Sequence, residues 1–119
     1  MKGKNLARVT HTLQELNVLY STTGKNLTLV AADTTNKEEV AMSDRIMVIA
    51  NNTGGSAYTV TVNSTALNGR LGDITAHSIA ALGITMFGPF PSSGWSTVGG
   101  KLEFEASNAA IKFAVVKVP

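Results

Sequence analysis

Two histidines, eight acids and no cysteine limit the chemistry open to this chain of 119 residues. His77 stands in "GDITAHSIA", four residues after Asp73. An Asp and a His at that spacing could form an acid–base pair or part of a metal site. On a helical turn the two side chains would meet. On a strand they would share a face about 13 Å apart. The residues around them suit a loop between strands, so a polar loop pair is the expected outcome. His11 lies in a basic N-terminal stretch with Lys2, Lys4 and Arg8. Glu38 and Glu39 are adjacent, and on a strand they would point to opposite faces. Glu103 and Glu105 would share a strand face with Lys101, which reads as a solvated surface. Without cysteine there is no thiol nucleophile and no Cys-ligated zinc. Phosphate-loop, dinucleotide, serine-elbow, zinc-helix and EF-hand patterns do not occur. No catalytic, cofactor-binding or metal-ligating residue is therefore assigned, and the chain is expected to be non-enzymatic and to need no cofactor.

The composition agrees. Charged residues make up 15% of the chain, against about 25% in ordinary domains. Net charge is +2, and the ten basic residues are scattered, so nucleic acid is not an expected partner. No stretch approaches the roughly 18 apolar residues that span a bilayer, so no membrane role is expected. "MKGKNLARVTHTLQELNVLY" lacks the apolar centre of a signal peptide, since Arg8, His11, Gln14 and Glu15 interrupt it. The triplets at Asn26, Asn51 and Asn63 match an N-glycosylation pattern by the chance expected of an Asn- and Thr-rich chain.

The elements that would carry these residues are strands. Residues 1–25 form an N-terminal arm, and 26–119 form one domain. Leu13, Leu16 and Leu19 are spaced for a short helix, although Asn17, Val18 and Tyr20 are poor helix formers. "NLTLVA" (26–31) alternates and reads as a strand. "ADTTNKEEVAMSD" reads as a long loop, with a helical turn over 37–40. "RIMVIAN" is apolar on both faces, as a central strand covered on both sides would be. "AYTVTVN" alternates, with Tyr58, Val60 and Val62 inward, and residues 45–63 together read as an antiparallel hairpin. "STALNGRLGDITAHS" is a long excursion, with Arg70 on a Gly-flanked loop. "IAALGITMF" is one strand. "KLEFEA" puts Leu102, Phe104 and Ala106 inward, and "IKFAVVKVP" is the last strand. Seven or eight short strands predict an all-β fold. It would be an antiparallel β-sandwich, with a jelly roll as one form of it and a small barrel as the alternative, preceded by an irregular or short-helical arm.

The C-terminal half carries "GRLGDI", then "GPFPSSGW", then "GKLEFEASNAAIKFAVVKVP", preceded by "RIMVIANNTGGSAYTVTVN". Over roughly residues 44–119 this order resembles a group of small tailed-bacteriophage virion proteins, the head decoration or cement proteins. The resemblance implies an all-β, non-enzymatic structural protein, made in the host cytoplasm and placed on the capsid exterior. It implies the major capsid protein and further copies of the chain as partners, most simply as a homotrimer at three-fold sites. Lys2, Lys4, Arg8 and Arg70 are the candidate partner contacts, since a basic arm suits pairing with a neighbour's sheet edge. Two alternatives stand beside this. One is another virion part, such as a tail, neck or fibre-base component. The other is a carbohydrate-binding sandwich, which would need Trp95, or Tyr58 with Phe90, on an open face.

"GPFPSSGW" itself is expected to be a structural corner. Pro89 and Pro91 forbid regular ladder pairing around Phe90, and Gly88 and Gly94 permit tight turns. Phe87 and Trp95 would cap the end of the core while the chain changes sheets.

Overall fold

A computed structural model of the chain describes residues 7–15, 24, 26–43, 45–65 and 72–118. Every regular element among them is a strand. In chain order these are β1 (Val9–His11), β2 (Leu13–Glu15), β3 (Val30–Ala31), β4 (Glu38–Ala41), β5 (Ile46–Asn52), β6 (Tyr58–Asn63), β7 (Ile74–Ile79), β8 (Ile84–Phe90), β9 (Lys101–Ala106) and β10 (Ile111–Lys117). One sheet has the order β1-β4-β9-β6-β7, and the other has the order β2-β10-β5-β8 with β3 also on β10. From β3 to β10 all pairings are antiparallel. Except between β6 and β7, each of those strands changes sheet from the one before it. That is the double Greek-key order of a jelly roll. The all-β sandwich expected from the sequence is therefore present, as ten strands in two mixed sheets.

The core lies between the sheets. Val40, Val60, Val62, Leu102 and Phe104 come from the first sheet, and Ile46, Val48, Ala50, Ile111, Phe113 and Val115 come from the second; all are fully buried. The alternation of "KLEFEA" and "AYTVTVN" is realised as read: Leu102, Phe104, Val60 and Val62 point inward. Phe104 and Phe113 meet edge to face across the core, with ring centroids 4.8 Å apart.

Several local expectations change. Residues 45–63 are not a hairpin, because β5 and β6 lie in different sheets. The turn between them is an arch over the end of the core. Five residues can cross the roughly 10 Å between stacked sheets as readily as they can reverse a hairpin. Buried Asn52 holds this arch. Its Nδ2 donates to the carbonyls of Ser56 (2.8 Å) and Ile79 (2.9 Å), and its Oδ1 accepts the Gly54 N–H (2.9 Å). Residues 74–78, read as part of a loop, form strand β7 together with Ile79, and a turn at 80–83 splits the single strand read over 79–87, so that β8 begins at Ile84. The expected helical turn over 37–40 is the start of strand β4. Asp33 decides this: its Oδ1 accepts the N–H groups of Thr35 and Asn36, each at 2.9 Å, and Lys37 then takes a left-handed φ of 66° that ends the turn. Of the strand read over 26–31, only Val30 and Ala31 pair. Gln14 carries the approach instead, its side-chain amide exchanging two 2.9 Å bonds with the backbone of Thr28. In the arm, residues 9–11 and 13–15 are extended rather than helical. A two-residue spacing sends His11 and Leu13 toward the core, while Leu16 and Leu19 lie outside the described residues.

Replacing Asn52 by Ala strands buried carbonyls and the Gly54 amide. Asn52→Ala is expected to lower stability by about 1–3 kcal/mol for each group left unpaired, read as a shift in the urea unfolding midpoint. An unchanged midpoint would mean that the amide does not hold the arch.

Candidate functional site

The N-terminal segment is where charge, burial and topology converge. β1 adds in parallel to β4 at one sheet edge, and two residues later β2 adds in parallel to β10 at the edge of the other. Residues 9–15 thus strap the two sheets together along one side of the sandwich. At the crossing, His11 is buried between the rings of Phe104 (5.4 Å between centroids) and Phe113 (5.9 Å). Its Nε2 lies 3.0 Å from Oε1 of Glu38, which is also fully buried. The other carboxyl oxygen of Glu38 accepts the Asp33 N–H at 2.9 Å. Burying a polar pair is tolerable only when its lone pairs and hydrogens are matched, and here the backbone turn and the imidazole match them. Upstream, the guanidinium of Arg8 donates to the carbonyls of Glu38 (3.0 Å) and Phe104 (3.2 Å), and it lies 3.6 Å from the Glu103 carboxylate.

A His–carboxylate pair is the proton-handling half of many catalytic sites. In this chain the imidazole packs against two phenylalanine rings, and the pair ties the arm to β4. Beside it runs a cleft of about 420 Å³, lined by His11 itself and, among others, by Thr10, Gln14, Thr28, Val30 and Phe113. The cleft follows from the registers on β10: β3 pairs with residues 112–113 and β2 with 115–117, leaving an opening at Ala114. No group of three or more metal-ligating side chains comes together among the described residues.

The other flagged residues disperse. Lys2, Lys4 and Arg70 lie outside the described residues. Arg8 is turned back onto its own sheet. Asp73 and His77 serve separate purposes: Oδ1 of Asp73 accepts the N–H and hydroxyl of Ser64 (2.7 and 2.9 Å), while His77 packs edge-on against Phe87 at 5.3 Å. Glu103, Glu105 and Lys101 face outward and pair with Arg8, Lys37 and Glu39 respectively. The Asp33 carboxyl is held below its ordinary value of 3.8, chiefly by the Asn36 backbone N–H and then by that of Thr35.

At the corner, Gly88 has a φ of 108° where the pairing of β5 and β8 slips by one residue, and Pro89 and Phe90 follow inside β8. A Cβ at Gly88 would meet the Ile46 carbonyl oxygen at 2.9 Å. Phe90 and Trp95 are buried with ring centroids 4.6 Å apart. After Pro91, the Trp95 and Ser96 N–H groups both donate to the Ser92 carbonyl, and Thr65 ties the turn to the end of β6. The rings of Trp95 and Phe90 therefore close the core and offer no open platform for a sugar.

The sequence pattern did not connect His11 with Glu38. The sequence set Glu38 and Glu39 on opposite faces if they lay on a strand; which of them turns inward, and the partner 27 residues away, came only from the structure. No family model, curated protein or solved structure matches the chain.

Breaking a buried pair from one side leaves the other member stranded. Glu38→Ala should cost about 3–5 kcal/mol, and His11→Ala added to it should cost less than His11→Ala alone. Urea unfolding of the two single variants and the double variant measures this; additive costs would mean that the side chains act separately. Trp95→Ala should also cost about 3–5 kcal/mol. A full-stability Trp95→Ala protein would make that ring a surface feature.

Proposed function

We propose that this protein is a non-enzymatic structural component of a tailed-phage virion, which decorates and stabilises the capsid by binding the outer surface of the major capsid protein shell. The observation that carries the proposal is the contrast between the two outer faces of the sandwich. The outer face of the first sheet presents Glu39, Lys101, Glu103, Glu105, Thr59 and Thr61. The outer face of the second presents Met47 and Ile49 from β5 and Ile84 and Met86 from β8, with Asn51 and the exposed Lys112 beside them, while Ala114 and Val116 of β10 are buried. An exposed apolar patch on β5 and β8, on the opposite side of the sandwich from a charged face, suits a body that lies on another protein with one side toward water. The motif order from "GRLGDI" to the last strand supports the phage assignment.

Quantitative mass spectrometry of purified virions is the direct test. A decoration protein appears at near-capsomer stoichiometry, whereas a tail, neck or fibre-base part appears at a few to tens of copies. Absence from virions overturns the proposal. Added back to undecorated heads, an Ile49→Glu protein should attach at least about tenfold more weakly, a ratio of about 1.4 kcal/mol, while Glu105→Gln on the charged face should attach normally.

A further inference from the structure

A two-sheet sandwich has exposed strand edges that must be covered, broken or used. In this chain three of the four edges of the β3–β10 body are dealt with. β4 is covered by β1, and β10 by β3 and β2. β7 is broken by a bulge: Ala76 takes a φ of 49°, and its N–H turns inward to the Thr61 hydroxyl at 2.9 Å. Among the described residues, β8 pairs only with β5, on one side.

The register shows which groups β8 leaves open. Asn52 donates its N–H to the Gly83 carbonyl at 2.8 Å, and Thr53 donates to Ala110 on the other side at 2.9 Å. Even-numbered residues of β5 therefore bond to β8 and odd-numbered ones to β10. With Ala50 opposite Thr85 and Val48 opposite Phe87, the β8 residues bonded inward are Gly83, Thr85 and Phe87. Alternation then leaves the N–H and C=O groups of Ile84 and Met86 pointing off the sheet. The side chains of the same two residues are 66% and 64% exposed, and neighbouring Leu82 is 75% exposed. Natural edges left open are commonly guarded by charge, especially lysine. Here no Asp, Glu, Lys or Arg occurs anywhere between Asp73 and Lys101.

We propose that the free edge of β8 binds β8 of a second copy of this chain, antiparallel, about a two-fold axis at Thr85. The edge is its own complement. Setting Ile84 of one copy opposite Met86 of the other, and the reverse, matches four outward donors with four outward acceptors in two hydrogen-bonded pairs. It also places each Ile84 side chain against a Met86 side chain on the outer face. Thr85 meets its own counterpart as the non-hydrogen-bonded pair between them, with Cα atoms about 4.5 Å apart. The charge-free run means that the two copies bring no like charges together. Beyond Met86 the window is closed by the register shift at Gly88 and by Pro89, which has no N–H. Such a contact is isologous and closes at two copies, in place of the three-fold assembly expected from the sequence. It joins two five-stranded sheets into one and brings the exposed Ile84 and Met86 of both copies together on its outer face. The pairing belongs to the chain alone and does not depend on the capsid assignment.

The test uses the full-length purified protein, with no capsid present. Sedimentation equilibrium should give a dimer at micromolar concentration. Ile84→Lys with Met86→Lys should raise its dissociation constant roughly a hundredfold or more, with the circular dichroism spectrum and melting temperature kept. Val98→Lys, at a 97% exposed position off the edge, should leave the dimer intact. The chain has no cysteine of its own, so Thr85→Cys should form a disulfide between copies under mild oxidation, the Cα spacing lying within the bridging range. Val98→Cys should not. The Thr85→Cys protein decides the matter if the lysine variants fail to fold. A monomer, a trimer, or a dimer that survives both lysines and does not cross-link at Thr85→Cys overturns the pairing. None of these outcomes bears on whether the protein is found in virions.

Discussion

The rings of Phe104 and Phe113 meet across the sandwich at 4.8 Å, carried by β9 and β10, which are interior strands of opposite sheets. Their strands are joined by a four-residue arch, in which Ser107 donates to the Thr59 carbonyl and Ala110 to the Asn108 side chain. The contact sets the spacing of the layers at the open side of the core, and the N-terminal strap fills what remains. The His11 imidazole packs tilted against Phe104 and edge-on against Phe113, but its nitrogen needs a partner. Glu38 supplies one, and the buried carboxyl in turn needs the Asp33 amide. A single ring contact thus leads to a buried polar chain that fixes the arm, the 33–37 turn and β4 relative to one another.

The strap also determines which side of the molecule is free. By covering the β4 and β10 edges it leaves the β7 and β8 side as the exposed flank, and that flank carries no formal charge. The two outer faces diverge as well, with acids, lysine and threonine on one and the methionines and isoleucines of β5 and β8 on the other, where Lys112 stands at the β10 side. Charged side chains on one outer face keep it hydrated, and aliphatic ones on the other do not.

Part of the site was legible before any coordinates. The inward positions of Leu102, Phe104, Val60 and Val62 follow from alternation, because a strand with one buried face must repeat every two residues. Residue types signalled an irregularity near Pro89 and Pro91, since a proline ring without an amide donor is a local property, but not that Phe90 keeps its pairing with Ile46 inside β8. The opposite facings of Glu38 and Glu39 were legible as geometry. The burial of Glu38 was not, because an isolated glutamate in a polar stretch carries no sign of a histidine 27 residues earlier. β7 was hidden for a similar reason: an edge strand with four exposed residues has no apolar face to announce it.

The sequence by itself determined the all-β class, the faces of the alternating strands and the lack of cysteine chemistry, because each depends on residue types within a few positions of one another. Only the tertiary structure decided which strands are neighbours. "RIMVIANNTGGSAYTVTVN" can close a hairpin or arch over a core with the same turn, and the choice is made by Asn52 reaching Ile79 and by β10 and β8 taking both sides of β5. It alone decided that His11 and Arg8 are spent inside the chain, and that β8 pairs on one side only among the described residues, because pairing and burial depend on residues far apart in the chain that meet only when the sheets close.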